Sequence, residues 1–161
     1  MRILNCEEIS LYKNTIRFLP IKSFFECLSH LFSPLLDLNT FVGDCYVARH
    51  NGDVTGADAA AILRKAEGTH RILIAGPATV TAEAADVFAN SGICLLGNES
   101  QTVGPEDAPM QVHKTLLEKD IALLEGVVLT AVPEGRYFLS AAPLCLAGAD
   151  GAPCRAYLLQ K

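Results

Sequence analysis

The sequence predicts an α/β fold, or a closely related α+β one, with helices packed on a mixed β-sheet. Three observations carry this expectation. Of its 161 residues 50% are hydrophobic and 19% charged, a balance that suits a folded core and excludes a disordered chain. From Phe41 onward, short aliphatic runs alternate with segments of helical periodicity. Glycine, proline and asparagine mark almost every junction between them. The length suits one globular domain that buries roughly two-thirds of the surface its unfolded chain exposes.

Each element has a local cause. Phe41 to Arg49 is rich in strand formers and ends at His50-Asn51-Gly52-Asp53, where Asn-Gly supplies the positive φ of a tight turn. Thr55 and Asp58 form a capping box for a helix over 56–66, whose apolar face is Ala59, Ala60, Ile62 and Leu63. Arg71 to Ala75 is a strand stopped by Gly76-Pro77. Thr81 caps a second helix that turns Ala84, Val87 and Phe88 to one side and ends at Gly92. Ile93 to Leu96 is a buried strand, and Gly97-Asn98-Glu99-Ser100 is the polar turn at its end, where ligands sit in open α/β sheets. Pro105 to Pro109 opens a third helix with its body at Met110 to Glu118, Val112 and Leu116 facing inward and Leu117 a further candidate for that face. Lys119-Asp120 releases the chain into the apolar segment Ile121 to Val132; strands at Tyr137 to Ala141 and Arg155 to Leu159 complete the set.

Composition excludes several function classes. The net charge is -5 and no Lys/Arg stripe could neutralise a run of phosphates, so nucleic acid is not an expected partner. No apolar stretch reaches the roughly 20 residues that cross a bilayer. The start, Met1 to Glu8, turns acidic before an apolar h-region forms, so a soluble cytoplasmic protein is expected. Six separated cysteines (Cys6, Cys27, Cys45, Cys94, Cys145, Cys154) form no C-x-x-C pair and read as reduced core residues. There is no G-x-S-x-G elbow and no phosphate-loop spacing.

Glu125 is the conspicuous residue, because it interrupts Ile121 to Val132, a segment apolar on both alternating faces. An ionised carboxylate inside a sheet is costly unless a cation or hydrogen-bond donors meet it. A metal ion or an arginine would serve; alternatively, a bulge at Gly126 would turn Glu125 to water. His113 stands twelve residues earlier, on the third helix. On one continuous helix the two would lie about 18 Å apart, but the break at Lys119-Asp120 lets a returning strand bring them together. Two ligands are one fewer than catalytic zinc usually takes from protein. His30, His50 and His70 form no H-x-x-x-H and read as structural or solvent-facing.

The run His113-Lys114-Thr115-Leu116-Leu117, then Asp120-Ile121 and Leu124-Glu125-Gly126, resembles the carboxy-terminal motif of the cyclase family, which includes bacterial kynurenine formamidases. Ala142-Pro143-Leu144 and Gly148-Ala149-Asp150-Gly151-Ala152-Pro153-Cys154-Arg155-Ala156 extend the likeness, as do Phe41-Val42-Gly43, Arg71 to Ile74 and Gly97 to Val103 upstream. The resemblance implies that residues 41–161 form a cyclase-like domain of the swivelling β/β/α type. It further implies an arylformamidase-like hydrolase of small amides or esters, connected with tryptophan catabolism and built as a homo-oligomer. It implies Zn or Mn as cofactor, with His113 and Glu125 as metal ligands. Asn98, where relatives often carry aspartate, would line the pocket with Glu99 and Ser100.

Residues 1–40 depart from the family. Its members carry an amino-terminal H-x-G-T-H-x-D-x-P-x-H motif that supplies most of the first metal shell, whereas residues 15–25 here contain no histidine or aspartate. Shifting the alignment leaves Glu26 and His30 near the motif's aspartate and last histidine, with Pro20 and Phe24 where its first two histidines belong. Ring carbons offer no lone pair to an ion. The sequence therefore leaves three expectations: a shortened or frame-disrupted gene product with impaired hydrolysis, a non-catalytic scaffold used in binding or assembly, or a protein whose missing ligands come from another subunit. Phe18, Leu19, Phe24, Phe25, Leu28, Leu31 and Phe32 would form a helix filling the vacated side, or an apolar patch that drives association.

Overall fold

The structure, a computed structural model, describes residues 37–144 and 151–160. The expectations for residues 1–36, including the departed motif, the apolar helix, Cys6, Cys27 and His30, lie outside the described residues, as do Cys145 and Gly148 to Asp150.

Chain order is a 3₁₀ turn Leu38–Thr40, β1 Val42–Arg49, β2 Gly52–Val54, α1 Gly56–Lys65, β3 Arg71–Ala75, β4 Ala78–Val80, α2 Ala82–Ala89, β5 Leu95–Asn98, α3 Met110–Leu117, β6 Ala122–Leu124, β7 Gly135–Ser140 and β8 Tyr157–Leu159. A six-stranded mixed sheet runs β6-β5-β3-β1-β7-β8. Its first four strands are mutually parallel, and β7 and β8 are antiparallel to their neighbours. β2 and β4 pair as a separate parallel ribbon. Among the described residues no helix is long and apolar enough to cross a membrane.

Strand alternation divides the core in two. Tyr46, Ala48, Ile72, Ile74 and Leu96 project into a layer with Ala59 and Ile62 of α1, Ala84, Ala85 and Phe88 of α2, and Val112 and Leu116 of α3. The intervening residues Cys45, Val47, Leu73, Ala75 and Leu95 join Leu124, Val127, Leu129, Tyr137, Leu139 and Leu158 in a second layer. A sheet apolar on both faces fits its parallel strands, and each large apolar side chain removed from water contributes about 1.5–3 kcal/mol. The helices begin where the sequence placed them. The Thr55 side chain accepts from Asp58 N while Asp58 accepts from Thr55 N, and Thr81 caps α2 through Ala84 N.

Several boundaries differ from expectation. β7 runs over Gly135–Ser140 instead of Tyr137–Ala141. β5 runs over Leu95–Asn98 instead of Ile93–Leu96, so Gly97 and Asn98 are strand residues paired opposite Leu73 and Ile74 rather than a turn. The segment Ile121 to Val132 is a strand only at Ala122–Leu124. Beyond Leu124 it bends at Gly126 (φ +69°) because Gly126 N donates to Ser100 O (2.8 Å) and Val127 N to Asn98 O (3.2 Å), which draws the chain across the end of β5. That bend resets the alternation: Ile121 faces the helical layer, whereas Val127 and Leu129 enter the other. The last strand shortens to Tyr157–Leu159, with Cys154 held opposite Pro143 in an isolated bridge.

Glu134, before β7, ties three elements. Its Oε1 accepts from Lys65 Nζ (2.8 Å) and Tyr46 Oη (2.9 Å), and Oε2 from Arg49 N (3.3 Å). The Lys65 bond, then the Tyr46 bond, hold this carboxyl below its ordinary pKa despite a small opposing burial effect. Stability gained this way is present above the unfolded value near 4.5 and is lost as pH falls through the folded value. Glu134→Gln is therefore expected to unfold at lower urea than the wild type at about pH 7, the two midpoints converging as pH falls through the folded value of Glu134. A gap unchanged across that range contradicts the clamp.

Candidate functional site

The parallel strands β5 and β6 end side by side, and α3 lies against them. Val112 and Leu116 anchor α3 in the core, which fixes the rotation of the helix and leaves the intervening His113 at its inner edge, 9% exposed. The ring Nδ1 lies 2.9 Å from Pro109 O. A carbonyl only accepts, so Nδ1 carries a proton and donates. Nε2 is thereby directed at Glu125 Oε1, 2.9 Å away.

Glu125 comes directly after the last residue of β6 and is partly buried, its side chain 29% exposed. Its Oε1 also accepts from Val103 N at 2.8 Å. Val103 is itself fixed, since its carbonyl accepts from Val80 N at 2.8 Å. An acceptor facing each ring nitrogen favours the doubly protonated ring, and an ion at Nε2 would displace that proton. Burial is the largest single influence on its pKa and works against the charge. The Glu125 hydrogen bond and charge, with the Pro109 carbonyl, outweigh it and raise the pKa above the ordinary histidine value. The pair thus offers an imidazole nitrogen and a carboxylate oxygen at one point. Two donors on one tetrahedral ion stand roughly 3.3 Å apart, close to the separation seen. A histidine whose second nitrogen is bound to a backbone carbonyl is the usual arrangement for a metal ligand.

The other residues singled out in the sequence cluster at the end of β5 in different roles. Asn98 is fully buried; its Nδ2 faces the carbonyls of Thr102 (3.0 Å) and Ala78 (3.5 Å), which fixes the amide's orientation. Its Oδ1 and the Thr102 hydroxyl are buried without a hydrogen-bond partner among the described residues. Ser100 Oγ donates to Ala78 O (3.3 Å). Glu99 turns to backbone donors, Gly76 N (2.6 Å) and Leu129 N (2.5 Å), and to Thr130 Oγ1 (3.2 Å). No group of three His, Cys, Asp or Glu side chains able to hold an ion occurs among the described residues. His50 Nε2 pairs with Asp53 O across a turn and His70 Nδ1 with Gly92 O after α2, both at 3.0 Å, so both rings are engaged by backbone. Cys45 is buried and its thiol is pushed up to about 12, chiefly by burial, while Cys94 and Cys154 are half-buried and free. Sequence reasoning missed the Val103 N–H and the Pro109 carbonyl, because backbone groups leave no residue-type signal.

Known proteins are similar to this chain in sequence and in fold. The kynurenine formamidase of Erythrobacter litoralis is 33% identical over 136 residues, covering 76% of this chain and 62% of that protein. That of Salinibacter ruber is 35% identical over 143 residues, covering 76% and 65%. The chain therefore spans a little under two-thirds of the length of these curated relatives. A solved structure described as a potential metal-dependent hydrolase with cyclase activity aligns with a TM-score of 0.71 at 28% identity, covering 83% of this chain and 74% of that one. No family model matches the chain.

Gly97 is the packing element on which the site's position depends. A Cβ there would meet Leu73 Cδ2 at 2.6 Å and Leu124 O at 2.9 Å, the second being backbone immediately before Glu125. Gly97→Ala is expected to lower stability by about 1–3 kcal/mol through overpacking, measured by urea denaturation. A wild-type midpoint would contradict this.

Proposed function

From the homology of this chain to the bacterial kynurenine formamidases and the cyclase family, we propose that it is an arylformamidase-like, metal-dependent hydrolase of small amides or esters. Its described residues would supply part of one ion site. The observation that carries this reading is the convergence of His113 Nε2 and Glu125 Oε1 at 2.9 Å, with the other ring nitrogen tied to Pro109 O. The donor set fits a divalent ion, Zn or Mn, since imidazole and carboxylate suit both. Such an ion would polarise a substrate carbonyl and lower the pKa of a bound water.

The chain's own groups have defined tasks in this reading. The Pro109 carbonyl retains the Nδ1 proton, so Nε2 is the nitrogen that gives up its proton and offers a lone pair. Glu125 contributes negative charge, and the Val103 N–H keeps its carboxylate from swinging away. Further donors would come from another part of the protein or from a second copy, which makes a homo-oligomer the proposed assembly and the cytoplasm the proposed location. A second reading is a hydrolase-like scaffold without catalysis. It is favoured by the two-ligand set among the described residues and by the lack of histidine or aspartate in residues 15–25. Glu125 would then be satisfied by His113 and Val103 alone.

Metal analysis of protein purified without chelator, together with a formyl-aromatic amide assay, separates the readings. Near-stoichiometric Zn or Mn, falling below about a tenth of an equivalent in His113→Ala and Glu125→Ala, with loss of hydrolysis in both variants, is the expected result. Wild-type protein that takes up no ion sinks the hydrolase reading and leaves the scaffold.

A further inference from the structure

We propose that Glu99 is a positioning residue for Glu125, acting through the loop 126–132, with Arg49 as its counterpart. This rests on the metal-site reading above and adds to it the device that holds the carboxylate ligand in place. Glu125 stands where β6 ends and an irregular segment begins, so no strand ladder fixes the chain beyond it. Gly126 N donates to Ser100 O (2.8 Å) and Val127 N to Asn98 O (3.2 Å), and two charged side chains grip the stretch that follows. Glu99, at the end of β5, takes its donors: Oε1 accepts from Leu129 N (2.5 Å) and Thr130 Oγ1 (3.2 Å), and Oε2 accepts from Gly76 N (2.6 Å) after β3. Arg49, at the end of β1, takes its acceptors: Nη2 donates to Thr130 O (2.9 Å), Val132 O (2.7 Å) and Leu129 O (3.4 Å). Leu129 and Val132 are buried beneath this grip, so the loop is pinned by polar groups along its backbone and by apolar ones below.

Both oxygens of Glu99 receive backbone N–H donors, which accounts for a carboxylate at this position. A glutamine has the same length but must turn its NH2 toward either Gly76 N–H or Leu129 N–H, placing donor against donor. Releasing Leu129 leaves the Gly126 and Val127 bonds as the backbone hold on the chain that starts at Glu125, whose Oε1 must stay within reach of both His113 and Val103.

The test measures zinc affinity of the full chain by competition with a chromophoric chelator, at a temperature where every variant is folded. Glu99→Gln is expected to lose about tenfold in affinity, the lower end of the scale for groups bonded directly to a metal ligand, since it acts one step further out. Arg49→Gln, at an exposed side chain, is expected to weaken binding less and serves if Glu99→Gln does not fold. In a Glu125→Gln background the same Glu99 change is expected to alter affinity less than about twofold, because a residue acting only through Glu125 has nothing left to position. Equal affinity in wild type and Glu99→Gln, or an equal loss in both backgrounds, overturns the proposal. A second readout works without metal: the His113 Nε2–H proton resonance, sheltered by Glu125, is expected in metal-free wild type and is expected to be lost or shifted in Glu99→Gln. If the wild type binds no zinc, the metal reading fails, and this resonance alone then decides the positioning role. An unchanged resonance in the variant overturns it.

Discussion

A carboxylate placed beside a sheet must find a cation or hydrogen-bond donors, and at Glu125 that requirement organises the surrounding structure. The His113 ring meets it from α3 and the Val103 N–H meets it from the loop after β5. Each partner is held in turn by backbone: Pro109 O fixes the ring, and Val80 N fixes Val103. Three separate stretches of chain are thus brought to one oxygen atom. Removing one partner would leave a charged or polar group half-buried with its bonding unmet.

The fold supplies this meeting point through its parallel strands. β5 and β6 end at the same edge, and α3, the crossover between them, is set into the core by Val112 and Leu116. Strand ends in parallel sheets gather loops that need no ladder of their own. That freedom lets the chain after Glu125 bend at Gly126 and cross the end of β5, where Asn98 and Ser100 carbonyls receive it. Gly97 is part of the same arrangement, since only a residue without Cβ lets Leu73 and the Leu124 carbonyl approach so closely.

Much of this was legible in the sequence where local chemistry decides. Thr55 with Asp58 and Thr81 mark helix starts because their side chains satisfy specific N–H groups, and the break at Lys119-Asp120 marks the end of α3, with Asp120 in the left-handed region (φ +56°). The meeting of His113 with Glu125 came from that break and from the anomaly of a carboxylate in an apolar run. The parts that were not legible depend on tertiary context. Ile121 to Val132 has the apolar content of one long strand, yet backbone bonds from a neighbouring strand end cut it to three residues. The family resemblance implies that Asn98 and Glu99 line the pocket; the structure binds the Asn98 amide nitrogen and the Glu99 carboxylate chiefly to backbone, contacts that sequence spacing does not reveal.

Homology to the kynurenine formamidases gives the site its proposed chemistry, and the ring orientation of His113 gives that chemistry a physical basis. A nitrogen-15 spectrum of the histidine rings, recorded as zinc is added to metal-free protein, tests the central claim most directly. The account predicts that Nε2 of His113 gives up its proton on zinc binding while Nδ1, held by Pro109, keeps its own. A ring that retains the Nε2 proton at saturating zinc, or surrenders the Nδ1 proton instead, would contradict it.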